Sequence, residues 1–217
     1  MTLKFKIAFL LLIFSAVSAT LHAASIPSRP PQLRSAAAMV KDLHTGEFLV
    51  SKQADVAMPI ASITKLMTAM VVLDAKLDLN EIITIEEADK DTLRNSRSHL
   101  PIGTRLTRGD AMMVALMASE NRAARALGRT FPGGISALVK AMNEKARVLG
   151  LSETRFEDPA GLSDENVSSA RDLVRLVETA CTYLPICIFS TQAEATLQSG
   201  RKQLHFVNTN ALVRNDR

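Results

Sequence analysis

The 217-residue sequence predicts an α/β (α+β) domain in which antiparallel strands accompany a large helical section. Two observations carry that prediction. Residues 35–42 and 47–52 are short apolar-rich segments flanking the turn-forming stretch His44-Thr45-Gly46, which reads as a hairpin. From Ala61 onward, apolar residues recur every three or four positions, as in helices that bury one face. A third observation sets the N-terminal boundary: an apolar leader and a proline-rich stretch precede both patterns.

The leader comes first. Lys4 and Lys6 supply a positive start, residues 7–19 are an uncharged run that is apolar but for Ser15 and Ser18, and Ala19, Ala23 and Ala24 offer small residues for cleavage. This is the composition of a secretory signal peptide. A membrane span needs about 20 apolar residues, and the run is shorter; an uncleaved anchor is the alternative. Residues 1–24 are assigned to the signal, 25–34 to a Pro-rich linker and 35–217 to the domain, so the expected product is exported, with no stable transmembrane segment after cleavage. Residues 1–24 hold two lysines and no acid, and without them the formal charge falls from +4 to +2. With basic residues scattered and no basic stripe among aromatics, a nucleic-acid partner is not expected.

The helical section begins with Leu66, Met70, Leu73 and Leu77 at spacings of three or four. Thr107 and Asp110 form a capping box, with Asp in place of Glu, for a second helix through residues 111–118. A third helix follows Phe131-Pro132-Gly133-Gly134, spans about residues 135–149 and stops at Gly150. Ser169 and Asp172 open a fourth that ends near Leu184-Pro185, and residues 204–208 read as a possible strand. A two-stranded hairpin is marginal alone, so more strands are expected than the sequence displays. Cys181 and Cys187 are six apart, a spacing that fits neither a zinc knuckle nor a CxxC redox motif. They are expected to be unpaired core residues, with a disulfide in an oxidising compartment as the alternative.

Ser62-Ile63-Thr64-Lys65 places a hydroxyl and an amine three residues apart on one helix face, within about 5–6 Å between Cβ atoms. Burial near other cations would lower the lysine pKa and make the neutral amine a general base for the serine. Backbone N–H groups at the helix start favour a developing oxyanion. Ser119-Glu120-Asn121 falls where an apolar helix ends, so Ser119 and Asn121 could point the same way from a loop between helices. A second serine can relay a proton, and an amide can orient a substrate carbonyl. Each motif alone has a bland reading, an exposed helix pair or a polar C-terminal turn. Competing chemistries lack their motifs. His44, His99 and His205 are separated without an HExxH, and no GxSxG marks a nucleophile elbow.

Ser-x-x-Lys and Ser-x-Asn are two of the three elements of the penicillin-binding-protein and serine β-lactamase group, the third being Lys-Thr-Gly. The residues around them sharpen the match. Pro59-Ile60-Ala61-Ser62-Ile63-Thr64-Lys65-Leu66-Met67-Thr68, Leu116-Met117-Ala118-Ser119-Glu120-Asn121-Arg122, Phe131-Pro132-Gly133-Gly134, Asp158-Pro159-Ala160-Gly161-Leu162 and Ser168-Ser169-Ala170-Arg171-Asp172-Leu173 are similar to the low-molecular-weight D-alanyl-D-alanine endopeptidases of the penicillin-binding protein 7 type, a serine D,D-peptidase (S11-like) family. The resemblance implies a β-lactamase/D,D-peptidase-like fold with an antiparallel sheet and a large helical lobe. It also implies roles: Ser62 as acylated nucleophile, Lys65 as base, Ser119 as proton relay and Asn121 as substrate-orienting amide. The implied activity is hydrolysis of D-alanyl cross-links in peptidoglycan through an acyl-enzyme, in the periplasm. Peptidoglycan peptides and β-lactam antibiotics are the implied partners, and no metal or cofactor is implied.

The sequence departs from that family in one respect. No Lys-Thr-Gly or Lys-Ser-Gly follows Asn121, and the chain stops shortly after Asn208-Thr209-Asn210-Ala211-Leu212-Val213, a segment that in the family precedes the third motif. In the family that motif's strand binds the substrate carboxylate and gives one oxyanion N–H, and loss of one such donor costs about 10²–10³ in rate. The sequence therefore reads as a truncated form lacking the C-terminal sheet strands, unstable and essentially inactive, with apolar faces and open strand edges exposed. A D-alanyl-D-alanine carboxypeptidase is the enzyme alternative, and a noncatalytic peptidoglycan-binding remnant is the non-enzyme one. Digestion of cross-linked against uncross-linked muropeptides separates the first pair, and a cooperative melting transition tests the last.

Overall fold

The computed structural model describes residues 32–215, so the expected signal segment and most of the linker lie outside the described residues. The expected hairpin is present. Strands β1 (Ala38–Lys41) and β2 (Phe48–Lys52) pair antiparallel, and a register irregularity after Val40 brings Lys41 opposite Phe48. The Asp42 carboxylate fixes the turn by accepting the amides of His44 (2.7 Å) and Thr45 (3.2 Å), an Asx turn.

Strand β3 (Met58–Pro59) leads into a 3₁₀ turn (Ala61–Ile63) and then helix α1 (Thr64–Asp74). Ser62 thus sits in the tight turn before the helix, and Leu77, expected to extend the helical spacing, lies past its end. Helix α1 is buried on most of its circumference, including Thr64, Lys65, Met67, Thr68, Ala69, Met70, Val71 and Val72. A helix apolar almost all round belongs inside a core, and α1 is the post around which the other helices pack.

Strand β4 (Ile82–Thr84) pairs antiparallel with β5 (Arg105–Thr107), which runs directly into helix α2 (Arg108–Met117). The expected capping box is formed: the Thr107 hydroxyl accepts the Asp110 amide at 2.9 Å, and the Asp110 carboxylate accepts the Thr107 amide at 3.3 Å. Helix α3 (Asn121–Arg129) follows after three residues, and α4 (Gly134–Val148) ends where expected, with Gly150 at φ +66°. Strand β6 (Val167–Ser168) pairs with β3. Helix α5 (Ala170–Ala180) is capped by the Ser169 hydroxyl accepting the Asp172 amide.

The C-terminal part corrects the sequence reading. Leu184-Pro185 does not close a helix: it opens α6 (Leu184–Thr191), with proline in the first turn, where its missing N–H costs nothing. Strands β7 (Glu194–Ser199) and β8 (Lys202–Val207) then form a second hairpin, of which the sequence shows only the later strand, and α7 (Ala211–Asn215) ends the described chain. Cys181 and Cys187 are both free, as expected, but they are not core residues. Cys181 is exposed and Cys187 partly so, with the Cys187 thiol donating to the Cys181 carbonyl at 2.9 Å.

Among the described residues, the strands form four separate two-stranded ladders around the helices. The core is methionine-rich, with Met67, Met70, Met112, Met117 and Met142 at 0% exposure beside Leu127, Leu138, Phe156 and Leu176. Two arginines tie helix ends to loops. Arg129 grips the fully buried Asp89 carboxylate with Nε and Nη2, both at 3.0 Å, and Arg108 reaches Glu81 at 2.6 Å. An apolar groove of about 420 Å³ lies between the first hairpin and α5, lined by Met39, Leu43, Leu173, Val174 and Val177. Leu43, Phe48 and Leu49 beside it are exposed. No single described helix is long and apolar enough to cross a membrane; α5 and α6 meet that test only together, bent by 105°.

Candidate active site

The site is assembled on α1. The Ile60 amide donates to the Asn166 carbonyl at 3.0 Å, and Ala61 then adopts φ +45°, a left-handed conformation unusual for alanine. That turn sets Ser62 one short loop ahead of Lys65, which occupies the first turn of α1. The side chains meet as the i,i+3 spacing predicts: Lys65 Nζ lies 2.8 Å from Ser62 Oγ.

Ser119 approaches from the α2–α3 connection. It too has a left-handed backbone, φ +56°. A non-glycine residue in that region costs of order 1–3 kcal/mol, and such strain gathers at functional sites. Ser119 Oγ donates to Ser62 Oγ at 2.8 Å and lies 3.3 Å from Lys65 Nζ. Asn121 was expected in a loop; it is instead the first residue of α3, and its Oδ1 accepts from Lys65 Nζ at 2.8 Å. All four residues singled out in the sequence therefore meet in one cluster.

Two further groups complete it. The Ala160 carbonyl accepts from Lys65 Nζ at 2.9 Å. Ser96 Oγ accepts the Asn121 Nδ2–H at 2.8 Å, which leaves Asn121 Oδ1 facing the lysine. Ser96 is itself anchored, because its amide donates to the Asp91 carboxylate at 2.9 Å. Burial pushes the Asp91 carboxyl up, but hydrogen bonds from Arg94, Ser96 and Leu93 outweigh it and hold the group at about 2. Neither contact was legible in the sequence: a backbone carbonyl has no residue signature, and Ser96 lies outside both motifs.

Lys65 is 3% exposed. Burial lowers its pKa from 10.5 to about 8, against the opposing charges of Asp158 and Glu120. The lowering expected from the sequence therefore comes from desolvation rather than from neighbouring cations. At pH 7 a group titrating at about 8 is the free amine in about a tenth of molecules. In that form two N–H groups can serve Asn121 Oδ1 and Ala160 O while the lone pair accepts the Ser62 hydroxyl proton, the arrangement a general base needs. No hydrogen bond to Ser62 or Lys65 among the described residues involves a histidine. His99 packs edge-on against Phe206 with ring centroids 6.4 Å apart, and His205 faces Glu194 at 3.9 Å. No group of three or more His, Cys, Asp or Glu among the described residues could hold a metal.

Residues 23–217 match the model of serine peptidase family S11, described as D-alanyl-D-alanine carboxypeptidase. The chain belongs to this family. It is 46% identical over 186 residues to a D-alanyl-D-alanine endopeptidase of Pseudomonas aeruginosa, covering 85% of this chain and 60% of the relative. With the D-alanyl-D-alanine endopeptidase of Escherichia coli it shares 41% identity over 215 residues, 98% of this chain and 69% of the relative. The chain thus spans between three-fifths and seven-tenths of these relatives' length. The Streptomyces K15 DD-transpeptidase structure superposes with a TM-score of 0.79 at 26% identity, covering 85% of this chain and 77% of the other. A D-alanyl-D-alanine carboxypeptidase of Mycobacterium tuberculosis gives 0.77 at 29% identity over 89% and 73% of the two chains. The S11 fold expected from the sequence is thereby established, with its mixed helices and antiparallel ladders.

Proposed function

We propose that this chain carries the acylation centre of a serine-type D-alanyl-D-alanine endopeptidase acting on peptidoglycan cross-links. The observation that carries the proposal is the buried Lys65 amine, with a pKa of about 8, held 2.8 Å from the Ser62 hydroxyl. Lys65 takes the Ser62 proton as Ser62 Oγ attacks the D-alanyl carbonyl carbon. The tetrahedral oxyanion is stabilised by backbone N–H groups at the start of α1. Asn121 orients the substrate amide. Ser119, bridging Ser62 and Lys65, returns the proton to the leaving amine as the peptide bond breaks, and an acyl-Ser62 ester remains for water to hydrolyse. Penicillins offer the same serine a strained amide and stay attached. The signal-like composition of residues 1–24 supports the periplasm as the place of action in this proposal.

The 217 residues contain no Lys-Thr-Gly. A D-alanyl-D-alanine carboxypeptidase is the second reading, favoured by the description of the matching family. Digestion of defined muropeptides separates the two. An endopeptidase converts cross-linked dimers to monomers and spares the terminal D-alanine of uncross-linked pentapeptides; release of free D-alanine from those pentapeptides, with dimers intact, overturns the endopeptidase assignment.

A further inference from the structure

The loop that presents the Ala160 carbonyl to Lys65 is organised by one buried acid. Asp158 is 7% exposed, and no ion pair among the described residues uses it. Its carboxylate is instead occupied by backbone: Oδ1 accepts the amides of Ala160 (2.7 Å) and Gly161 (2.8 Å), and Oδ2 accepts that of Ser163 (2.7 Å). Three amides on one carboxylate fold the loop back on itself.

The folded loop is then fixed to α1 at three polar points. Thr68 Oγ1 donates to the Pro159 carbonyl at 2.8 Å, Lys65 Nζ donates to the Ala160 carbonyl at 2.9 Å, and Asn166 Nδ2 donates to Thr64 Oγ1 at 3.1 Å. Asn166, fully buried, also closes the base of the loop: its Oδ1 accepts the amides of Glu157 and Asp158, and its Nδ2 reaches the Asp158 carbonyl. A buried carboxylate is costly unless its oxygens are hydrogen-bonded; here three backbone amides on two oxygens meet that need, which the single acceptor oxygen of asparagine or serine does not reproduce. What aspartate adds is a full negative charge inside the wall that faces the base.

We propose that Asp158 is a positioning residue for Lys65: its carboxylate shapes the loop that presents the Ala160 carbonyl to the lysine, and its buried charge is the countercharge on that side of the amine. The groups around Lys65 then divide by wall. Ser62 stands on the 3₁₀ turn just before the helix of Lys65, Glu120 with Ser119 and Asn121 on the α2–α3 wall, and Asp158 with the Ala160 carbonyl on another loop. Glu120 and Asp158 are the two charges that act against burial at Lys65. This inference deepens the proposed function and rests on Lys65 being the base, but its test does not require turnover.

The test is the Lys65 titration by NMR in the full chain, with Lys65 side-chain signals assigned by their loss in K65R. In the unsubstituted chain the midpoint is expected near 8. In Asp158→Asn the side-chain oxygen can still accept from Ala160 and Gly161, the Ser163 amide loses its acceptor, and the charge is gone; with the loop held by its remaining bonds the midpoint falls, by about half a unit or more. A role confined to holding the loop gives the opposite sign, because loosening the wall hydrates Lys65 and returns its midpoint toward the ordinary lysine range. An unchanged or raised midpoint therefore overturns the proposal. A second measurement guards against a variant that fails to fold. In the unsubstituted chain, amides of Ala160, Gly161 and Ser163 exchange at least about 10²-fold more slowly than exposed loop amides; exchange at the exposed rate also overturns it. If the midpoint falls but labelled penicillin never acylates Ser62, the positioning role stands and the peptidase reading fails.

Discussion

The contact most sensitive to a single methyl group is the one between Gly161 and the backbone that carries the nucleophile. Gly161 has φ +79°, and a Cβ there would lie 1.8 Å from the Ala61 oxygen, 2.3 Å from its carbonyl carbon and 3.0 Å from the Ser62 nitrogen. These are backbone atoms and cannot swing aside. Opening the oxygen gap from 1.8 Å to the 3.4 Å of ordinary contact requires a displacement of about 1.6 Å, shared between the loop and the 3₁₀ turn. Gly161→Ala therefore carries two costs. The left-handed backbone costs alanine about 1–2 kcal/mol, and the clash moves Ser62 relative to Lys65. A misplacement of about 1 Å at reacting atoms costs on the order of 10²-fold in rate. Gly103→Ala is the control, because Gly103 has φ +84° but nothing within 4 Å of its Cβ position. The assay is the second-order rate of acylation by a fluorescent penicillin, with urea unfolding run on both variants. G161A is expected to acylate about 10²-fold more slowly than G103A and to be less stable by at least a further 1 kcal/mol or so. Equal acylation rates in the two variants refute the idea that this glycine exists to let the loop reach the nucleophile turn.

Other consequences follow from the same structure. The acylation rate should rise with pH through about 8 as Lys65 loses its proton. Stability should respond as well. The unfolded lysine holds its proton up to 10.5 and the folded one only to about 8, so between those values the unfolded state binds more protons and unfolding free energy climbs with pH, by up to about 3 kcal/mol from this residue. Below pH 8 both states are protonated and the contribution is flat; urea titrations of the unsubstituted chain against K65M at pH 7.5 and 10.5 check the rise, which K65M should lack. Asp89→Ala takes the buried carboxylate from Arg129, which keeps Glu86 and the Thr84 carbonyl, and should cost about 1.5–3 kcal/mol in thermal or urea unfolding. Thr107→Ala removes the α2 cap and should cost about 1 kcal/mol in the same assay.

How much of this was legible in the sequence depended on the kind of signal. Thr107 and Asp110 cap α2 because a side-chain cap is a local device, readable from residue types three apart. The first hairpin and the end of α4 at Gly150 follow for the same reason. Helix α3 is not legible because Asn-Arg-Ala-Ala-Arg-Ala-Leu-Gly-Arg has one large apolar residue, Leu127; the rest of its buried face is Ala123, Ala124, Ala126 and Gly128. Small side chains make a close-packing face that apolar periodicity underweights. Pro185 was read as a stop although proline is equally at home in a first helical turn. Strands β3 to β6 are two or three residues long, too short for any period to show. In the site, Ser62, Lys65, Ser119 and Asn121 were legible because side chains do the chemistry. The Ala160 carbonyl was not, since any residue supplies a carbonyl; only Asp158, Gly161 and Asn166, which place it, leave a trace in residue type.

The central claim is that Ser62 is a nucleophile driven by Lys65, and covalent mapping tests it most directly. The full chain is incubated for hours with excess penicillin and analysed by intact mass and peptide mass spectrometry. The account predicts one adduct of the antibiotic's mass, located on Ser62, and absent from Ser62→Ala and from K65M. An adduct on another residue, or one that forms as fast in K65M as in the unsubstituted chain, contradicts it.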